Sequence, residues 1–461
     1  MVSSCLARAA CLALCLCLPA AAQACSAFAT ADSAEVLLAK NFDWNFDGGY
    51  LVKSPRAVAR RALPLYGGEP AAWTARHGSL TFTQYGCGLP YGGINEPGLT
   101  IEMLWLDETV YPSAAPRTIG ELEWIQYHLD TCASVAEVLA GVDSFTIAPI
   151  GGKIHYLLAD ATGDLALVEY LDGAPRVSRA EGSSLVCTND TRRIAELAFA
   201  GLRAKELKGN TSRVRYARLR RALEEGGVVP GVEGAFAALA EVQERGATYR
   251  TRWTAVYELR SRRLHVRPDG AAAAFAIATS ALDYAEGSGI TYLDLFGRGA
   301  ADQEFTTLTS GAQAALLELN LPKVGLADQL EAIATHLLDP SASSVHALAD
   351  RGTLRIRVTT DTPRAFARVA VFGSQREIES RRSARAGSVL LDAVQREFAF
   401  YNLPAGRYAV GAFHDLDQDG RPGRDEPLAF FQREAAGGDV EFGRVSFDLD
   451  HTGRTVEIEL R

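Results

Sequence analysis

The chain has 461 residues, 48% hydrophobic and 22% charged, with 47 basic against 56 acidic side chains and a formal charge of −9. These are the proportions of an ordinary globular protein with room for two or three domains. An acidic balance without a basic run argues against nucleic acid and against anionic membrane surfaces as partners.

Residues 1–24 read as a secretory signal peptide. A sparse charged start (Arg8) is followed by an apolar stretch over 9–18, a break at Pro19, and Ala22-Gln23-Ala24 ahead of Cys25. The apolar stretch is too short to span a membrane and no stop-transfer pattern follows. The leader directs the protein to the periplasm or the exterior. Four of the eight cysteines (5, 11, 15 and 17) leave with it, and Cys25, Cys87, Cys132 and Cys187 remain. If Cys25 is a free nucleophile, at most one disulfide pairs within the remaining three, so this is not a disulfide scaffold.

Cleavage after Ala24 would make Cys25 the first residue. Its new α-amine, with an ordinary pKa of about 7.7–8, would share a residue with a thiol of about 8.5. A base and a nucleophile are then poised together near neutral pH. Position alone leaves two other readings open. Ala-Gln-Ala-Cys is a degenerate lipobox that would tether a non-catalytic envelope lipoprotein or ligand-binding protein, and Cys25 may equally be counted as a structural half-cystine.

From 25 to about 300, strand-like and helix-like stretches interleave in blocks without an internal repeat, a pattern of α+β layers rather than of a doubly wound sheet. Two short strands, 27–29 and 36–39, flank a turn at Asp32-Ser33, and 99–106 is a further strand. Helices are predicted over 121–129 and 134–139, the second opened by Ser134 and Glu137 in a capping box. Residues 154–159 and 165–170 form a hairpin, 192–208, 213–225 and 233–245 are helical, and 252–259 and 262–267 return to strand. Helices 311–319 and 325–338 lead into a Pro/Ser-rich linker, 339–350. Beyond it, 354–358, 368–371, 397–401, 407–413 and 456–460 largely alternate with period two, a small all-β sandwich over 351–461.

Six segments of the first block then stand in a familiar order: Cys25-Ser-Ala-Phe with Leu38-Ala-Lys-Asn-Phe-Asp-Trp44; Gly93-Ile-Asn-Glu-Pro-Gly-Leu99; the hairpin from His155 to Glu169; Thr188-Asn189; Thr211-Ser-Arg213; and Thr251-Arg-Trp-Thr-Ala-Val-Tyr257. In this run the chain resembles the choloylglycine hydrolase and penicillin V acylase family, linear-amide C–N hydrolases of the N-terminal nucleophile class. The resemblance implies a four-layer αββα fold over 25–338, no cofactor for catalysis, a small-molecule N-acyl amide as substrate, and a homo-oligomer as a conceivable assembly. It also implies roles. Cys25 attacks the amide carbonyl, Asp43 orients the α-amine, Asn189 faces the developing oxyanion, and Arg213 anchors the nucleophile's surroundings.

Two positions depart from the family pattern. Lys40 stands where an arginine is usual; it keeps the charge that favours a thiolate but loses the planar fork. Trp105 takes the place of the asparagine of bile-salt hydrolases, with its backbone N–H as second oxyanion donor. That exchange leans away from bile salts and towards aryl-acetyl-like or fatty-acyl amides, closer to penicillin V acylases. Trp44, Tyr91, Tyr111 and Trp124 are candidate pocket aromatics, although for each the first reading is a core residue. An acyltransferase using the same site is the remaining alternative.

No Gly-x-Ser-x-Gly, His-Glu-x-x-His or Walker motif occurs. In the sandwich, Asp415, Asp417, Asp419, Gly420, Arg421 (through its carbonyl) and Glu426 keep the spacing of a calcium loop, although strands and not helices flank it. The stretches 403–410 and 414–420 resemble those of small secreted prealbumin-like β-sandwiches.

Overall fold

In the computed structural model, Cys25 leads directly into a strand, Ser26–Ala31, whose side chains alternate between two cores. The structure describes residues 25–460 apart from 66–67, 181, 203–206, 225–230, 248, 298–303, 339–350, 362–364, 381–382, 384, 392–393, 416–425, 427 and 433–439. Cys25, Ala27 and Ala29 point into the main core. Phe28 points the other way, among Ala39, Val186, Tyr216, Phe236 and Val256. Successive residues of a strand face opposite sides, so this one short strand divides a sheet–sheet layer from a sheet–helix layer.

The strand belongs to a six-stranded sheet in the order Ser184–Cys187, Ser26–Ala31, Val36–Trp44, Arg250–Glu258, Arg263–Pro268, Phe275–Ala278. Opposite it lies a nine-stranded sheet: Ala174–Arg179, Leu165–Leu171, Ile154–Ala159, Thr100–Trp105, Gly92–Asn95, Ser79–Thr83, Tyr50–Ser54, Thr291–Asp294, Thr306–Thr307. Helices Ser212–Glu224 and Val232–Ala240 cover the first sheet. Glu121–Thr131, Ser310–Asn320 and Leu330–Leu338 pack with the second. These are the four layers, αββα, that the resemblance implied.

Half of the capping box is present: the Ser134 hydroxyl accepts from the Glu137 N–H, but the Glu137 carboxylate accepts from the N–H of Ala133, one residue before the cap, and not from that of Ser134. Two buried strands, Tyr50–Ser54 and Gly92–Asn95, carry no clear period-two signal because both of their faces are covered, whereas Ser79–Thr83 between them alternates polar and apolar residues although it too is buried throughout. Lys53 sits in such a strand because its ammonium is spent on the carbonyls of Asp283 and Gly289, at 2.9 and 2.8 Å, and on the Ser288 hydroxyl. The helix expected over 192–208 runs as Arg192–Gly201. The one expected over 325–338 opens with a tight turn, Ala327–Gln329, after Gly325 (φ +76°) ends the preceding helical turn, and is α-helical over Leu330–Leu338. Among the described residues no helix is long and apolar enough to cross a membrane.

The C-terminal region has its own core. Gln395–Pro404, Arg351–Thr360 and Arg454–Leu460 form one sheet, and Arg385–Leu391, Ala365–Phe372, Gly406–Asp415, Leu428–Phe430 and Ser446–Leu449 the other. Strand Arg351–Thr360 alternates buried and half-buried positions almost throughout, the signature of a sheet with one face on the core and one outward.

Candidate active site

Strand register brings distant segments to one point. Ser26 pairs with Asn41 and Ala27 with both Lys40 and Cys187. Extending those registers sets Cys25 beside Phe42 and Asp43 on one side and beside Asn189 on the other. Thr251, at an irregularity in its strand, lies opposite Asp43.

The Cys25 thiol is buried, 3% exposed, with Sγ 3.8 Å from the Asp43 carbonyl oxygen. Burial pushes its pKa up to about 11 against the opposing pull of Lys40 and Arg215, with Asp43 adding to the rise. The Asp43 carboxyl is also buried. One oxygen accepts from the Thr251 hydroxyl at 2.5 Å, and the other, Oδ2, has no hydrogen-bond partner among the described residues. Burial raises this carboxyl to about 7, although Arg215 and Thr251 oppose the rise.

Arg215 is the organising cation. One guanidinium nitrogen donates to the Cys25 carbonyl at 2.5 Å and to the Ser26 hydroxyl at 2.6 Å. The other terminal nitrogen donates to Asn189 Oδ1 at 2.8 Å, and Nε donates to the Asn210 carbonyl. The expectation for Arg213 is corrected here. Arg213 faces outward beside Asp190, with Nε 3.4 Å from its carboxylate and its guanidinium 4.5 Å from the Phe366 ring centroid. The reason is helical geometry: two residues along a helix turn a side chain by about 200°, so when Arg215 of the helix Ser212–Glu224 points at Cys25, Arg213 points away from it. An arginine flanked by buried Val214 and Tyr216 was the available signal, because a charge inside an apolar run needs a partner.

Asn189 is held from both ends. Its backbone N–H donates to Ser212 Oγ at 2.8 Å, its side-chain oxygen accepts from Arg215, and Nδ2 donates to the Trp105 carbonyl at 2.9 Å. The pair Trp105–Ile154 is a non-hydrogen-bonded position of the ladder, since Leu106 N–H bonds the Lys153 carbonyl. Trp105 therefore turns both its N–H and its C=O away from Ile154–Ala159, towards Asn189. Its indole N–H donates to Asp107.

Lys40 lies in the sheet–sheet layer, with Nζ 2.6 Å from Glu102 Oε2, both side chains 2% exposed. The Tyr257 hydroxyl donates to the other oxygen of Glu102 at 2.5 Å. Gly92 stands across from Glu102, and a Cβ there would collide with that carboxylate. The lysine is thus committed to an ion pair, and reaches the thiol through its field alone. Glu102, Tyr257, Thr251 and Arg215 had been given no role from sequence.

Among the candidate aromatics, Trp44 and Tyr91 gather with Phe42 and Phe46 beside the nucleophile, the Phe42 and Tyr91 rings 4.8 Å apart. Trp124 is not brought to the site. It stacks on Tyr156 at 4.2 Å, beneath the helix Glu121–Thr131. His155, next to Tyr156 in its strand, faces the other way, to Thr188 and Cys187, so the sheet itself separates Trp124 from Cys25. Cys87, Cys132 and Cys187 are free thiols, as is Cys25. Of the calcium-loop candidates, Asp415 pairs with Arg368 at 3.0 Å and Glu426 lies in a bend. Asp417, Asp419 and Arg421 lie outside the described residues. Among the described residues, no group of three metal-ligating side chains converges.

Residues 31–272, just over half of the chain, match the model of the family described as acyl-coenzyme A:6-aminopenicillanic acid acyl-transferase. The chain belongs to this acyl-transferase family. Residues 347–457 match a second family, described as an uncharacterized protein conserved in bacteria. A penicillin V acylase from Pectobacterium atrosepticum is 28% identical over 136 residues, 26% of this chain, and the match spans 36% of that relative's length. The solved structure of penicillin V acylase from Agrobacterium tumefaciens superposes with a TM-score of 0.53 at 22% identity, covering 62% of this chain and 98% of that one. At that identity the likeness is one of fold, the N-terminal nucleophile hydrolase fold. The resemblance read from the six segments is thereby met for the catalytic region of this acyl-transferase family member.

Proposed function

We propose that this protein is an exported amidase in which Cys25, made the first residue by removal of the leader, cleaves a linear carboxamide through a thioester. The thiol proton passes to the residue's own α-amine as sulfur attacks the carbonyl. The collapsing tetrahedral adduct expels the amine, which takes that proton, and the acyl group is left on sulfur. Water, deprotonated by the Cys25 α-amine, attacks the thioester carbonyl; the C–S bond breaks, the acid is released and the proton returns from the α-amine to sulfur. Charge on the tetrahedral oxygen is met by Asn189 Nδ2 and the Trp105 N–H.

The observation that carries this reading is the arginine that ties the Cys25 carbonyl to Asn189, so that the attacking residue and the oxyanion donor are held by one guanidinium. Two further features support it. A thiol at about 11 is inert as an internal residue, whereas an ammonium on the same residue would draw it down. The unpartnered Asp43 Oδ2 is a fitting acceptor for that ammonium. A buried sulfur also leaves little room for a lipid anchor.

The penicillin V acylase names among the relatives and the aromatic group at Phe42, Trp44, Phe46 and Tyr91 favour aryl-acetyl or fatty-acyl amides over bile-salt conjugates. The family description keeps acyl transfer as the second reading, and a competing amine in the assay separates transfer from hydrolysis. A calcium ion in the 415–426 loop rests on sequence spacing, and calorimetric titration of calcium against Asp417→Asn tests it.

The test of the main proposal is a panel of penicillin V, bile-salt conjugates, acyl-homoserine lactones and N-acyl amino acids, run on the exported protein and on Cys25→Ser. Turnover that survives in Cys25→Ser, or in a protein carrying one extra residue ahead of Cys25, overturns it. Sequencing the exported chain checks that it begins at Cys25 and that its sulfur is unmodified.

A further inference from the structure

We propose that the C-terminal sandwich is a positioning part of the catalytic apparatus, clamping the two segments that carry the oxyanion groups. This rests on the reading of Trp105 and Asn189 given above.

The first segment leaves the nine-stranded sheet after Trp105. Leu106 N–H bonds the Lys153 carbonyl at 2.8 Å. The Lys153 side chain, 6% exposed and without a hydrogen-bond acceptor among the described residues, places its ammonium 3.4 Å from the ring centroid of Phe398 in the sandwich. Further along, Tyr111 is gripped through its main chain. Its N–H donates to the Tyr401 hydroxyl at 2.8 Å and its carbonyl accepts from Arg355 at 3.2 Å. Its own hydroxyl donates to the Gly152 carbonyl and accepts from the Ile154 N–H, and Asn402 Nδ2 donates to the Ile150 carbonyl at 2.6 Å. Strands Thr100–Trp105 and Ile154–Ala159 are therefore fixed, where they end, by one strand of the sandwich, Gln395–Pro404.

The second segment is Thr188–Thr191. Asp190, next to Asn189, pairs with Arg213, whose guanidinium lies over Phe366 of the sandwich. Both chains that meet at the Asn189–Trp105 hydrogen bond thus continue within a few residues into contacts with the same module. A tethered accessory domain shares a polar, hydrated interface with its neighbour. Here Ala399 and Tyr401 are instead part of the main core of the catalytic region. A cation on an aromatic face and a hydroxyl that receives a main-chain N–H are directional contacts, suited to holding a loop in one place.

The test uses the full chain with Tyr401→Phe, Phe398→Leu and the double variant, alongside Glu457→Gln on the exposed side of the sandwich. We expect kcat per titrated Cys25 to fall about tenfold in the double variant with KM within about twofold, since small displacements of positioning groups cost rate. Glu457→Gln should leave kcat unchanged. Amide hydrogen exchange, which needs no turnover, should quicken in residues 104–111 and 188–192 and stay as in the parent over 252–258. A double variant with unchanged kcat per site, or with unchanged exchange in both segments, overturns the proposal. If the parent protein hydrolyses no amide, it is the proposed function that fails, and the exchange data still decide whether the sandwich holds these segments.

Discussion

Arg215 donates to the main-chain carbonyl of Cys25 at 2.5 Å, from a helix that begins 187 residues after it. Its second terminal nitrogen reaches Asn189, so one planar guanidinium sets the distance between the proposed nucleophile and the amide that would receive its charge. A fork can span two acceptors where a single ammonium cannot. Arg215→Lys is therefore expected to lower kcat about a hundredfold, by the scale of lost oxyanion-site contacts. Arg213→Lys should stay within about threefold, its guanidinium being half-exposed beside Asp190. Steady-state kinetics on the best amide of the panel compare the two; equal losses would remove Arg215 from its place here.

Asn189→Ala removes a side chain whose carboxamide faces both Arg215 and Trp105. The expected loss is about 10²–10³ in kcat with KM little changed, the pattern of a contact made in the transition state. A rise in KM at constant kcat would instead mark Asn189 as a substrate-binding group.

Asp43 yields a prediction in pH. Its folded carboxyl stands at about 7 against an ordinary value of about 3.9. Below about pH 4 the group is protonated in both states and costs nothing. Between about 4 and 7 the unfolded chain ionises while the folded one does not, so stability falls as pH rises, and above 7 the full penalty persists, on the order of 4 kcal/mol. In the chain that retains residues 1–24, Asp43→Asn should raise the unfolding midpoint at pH 8 and leave it unchanged at pH 4. In the processed chain an α-ammonium beside Oδ2 would offset the penalty, and the gain should vanish. Identical pH profiles for the two forms would mean that the amine is not the partner of Asp43.

Lys40 and Glu102 form a buried pair at 2.6 Å. Removing one partner strands the other charge, so Lys40→Met should destabilise by about 3–5 kcal/mol in denaturant titration. Lys40→Met with Glu102→Leu should recover much of this, because both desolvation costs are gone. A double variant no more stable than the single one would show that the Tyr257 contact to Glu102 carries the effect.

The sequence by itself determined most of the strands and helices, and its resemblance to a family pointed to the layers and to Cys25 as the candidate nucleophile. Period-two alternation at Leu354–Val358, the apolar run Ala27–Ala29 before a polar turn, the Ser134 cap and the ordered segments around Cys25, Asp43 and Asn189 are local patterns, legible along the chain itself. Only the tertiary structure decided which arginine of a helix turned inward, that Lys40 was committed to Glu102, that Trp124 lay behind a sheet, and that Tyr401 and Phe398 of a separate core reached the loops beyond Trp105. Each of these depends on which groups meet across the fold: a helix rotates a side chain by about 100° per residue and a strand buried on both faces hides its period, so a pattern along the chain carries no record of the partner opposite.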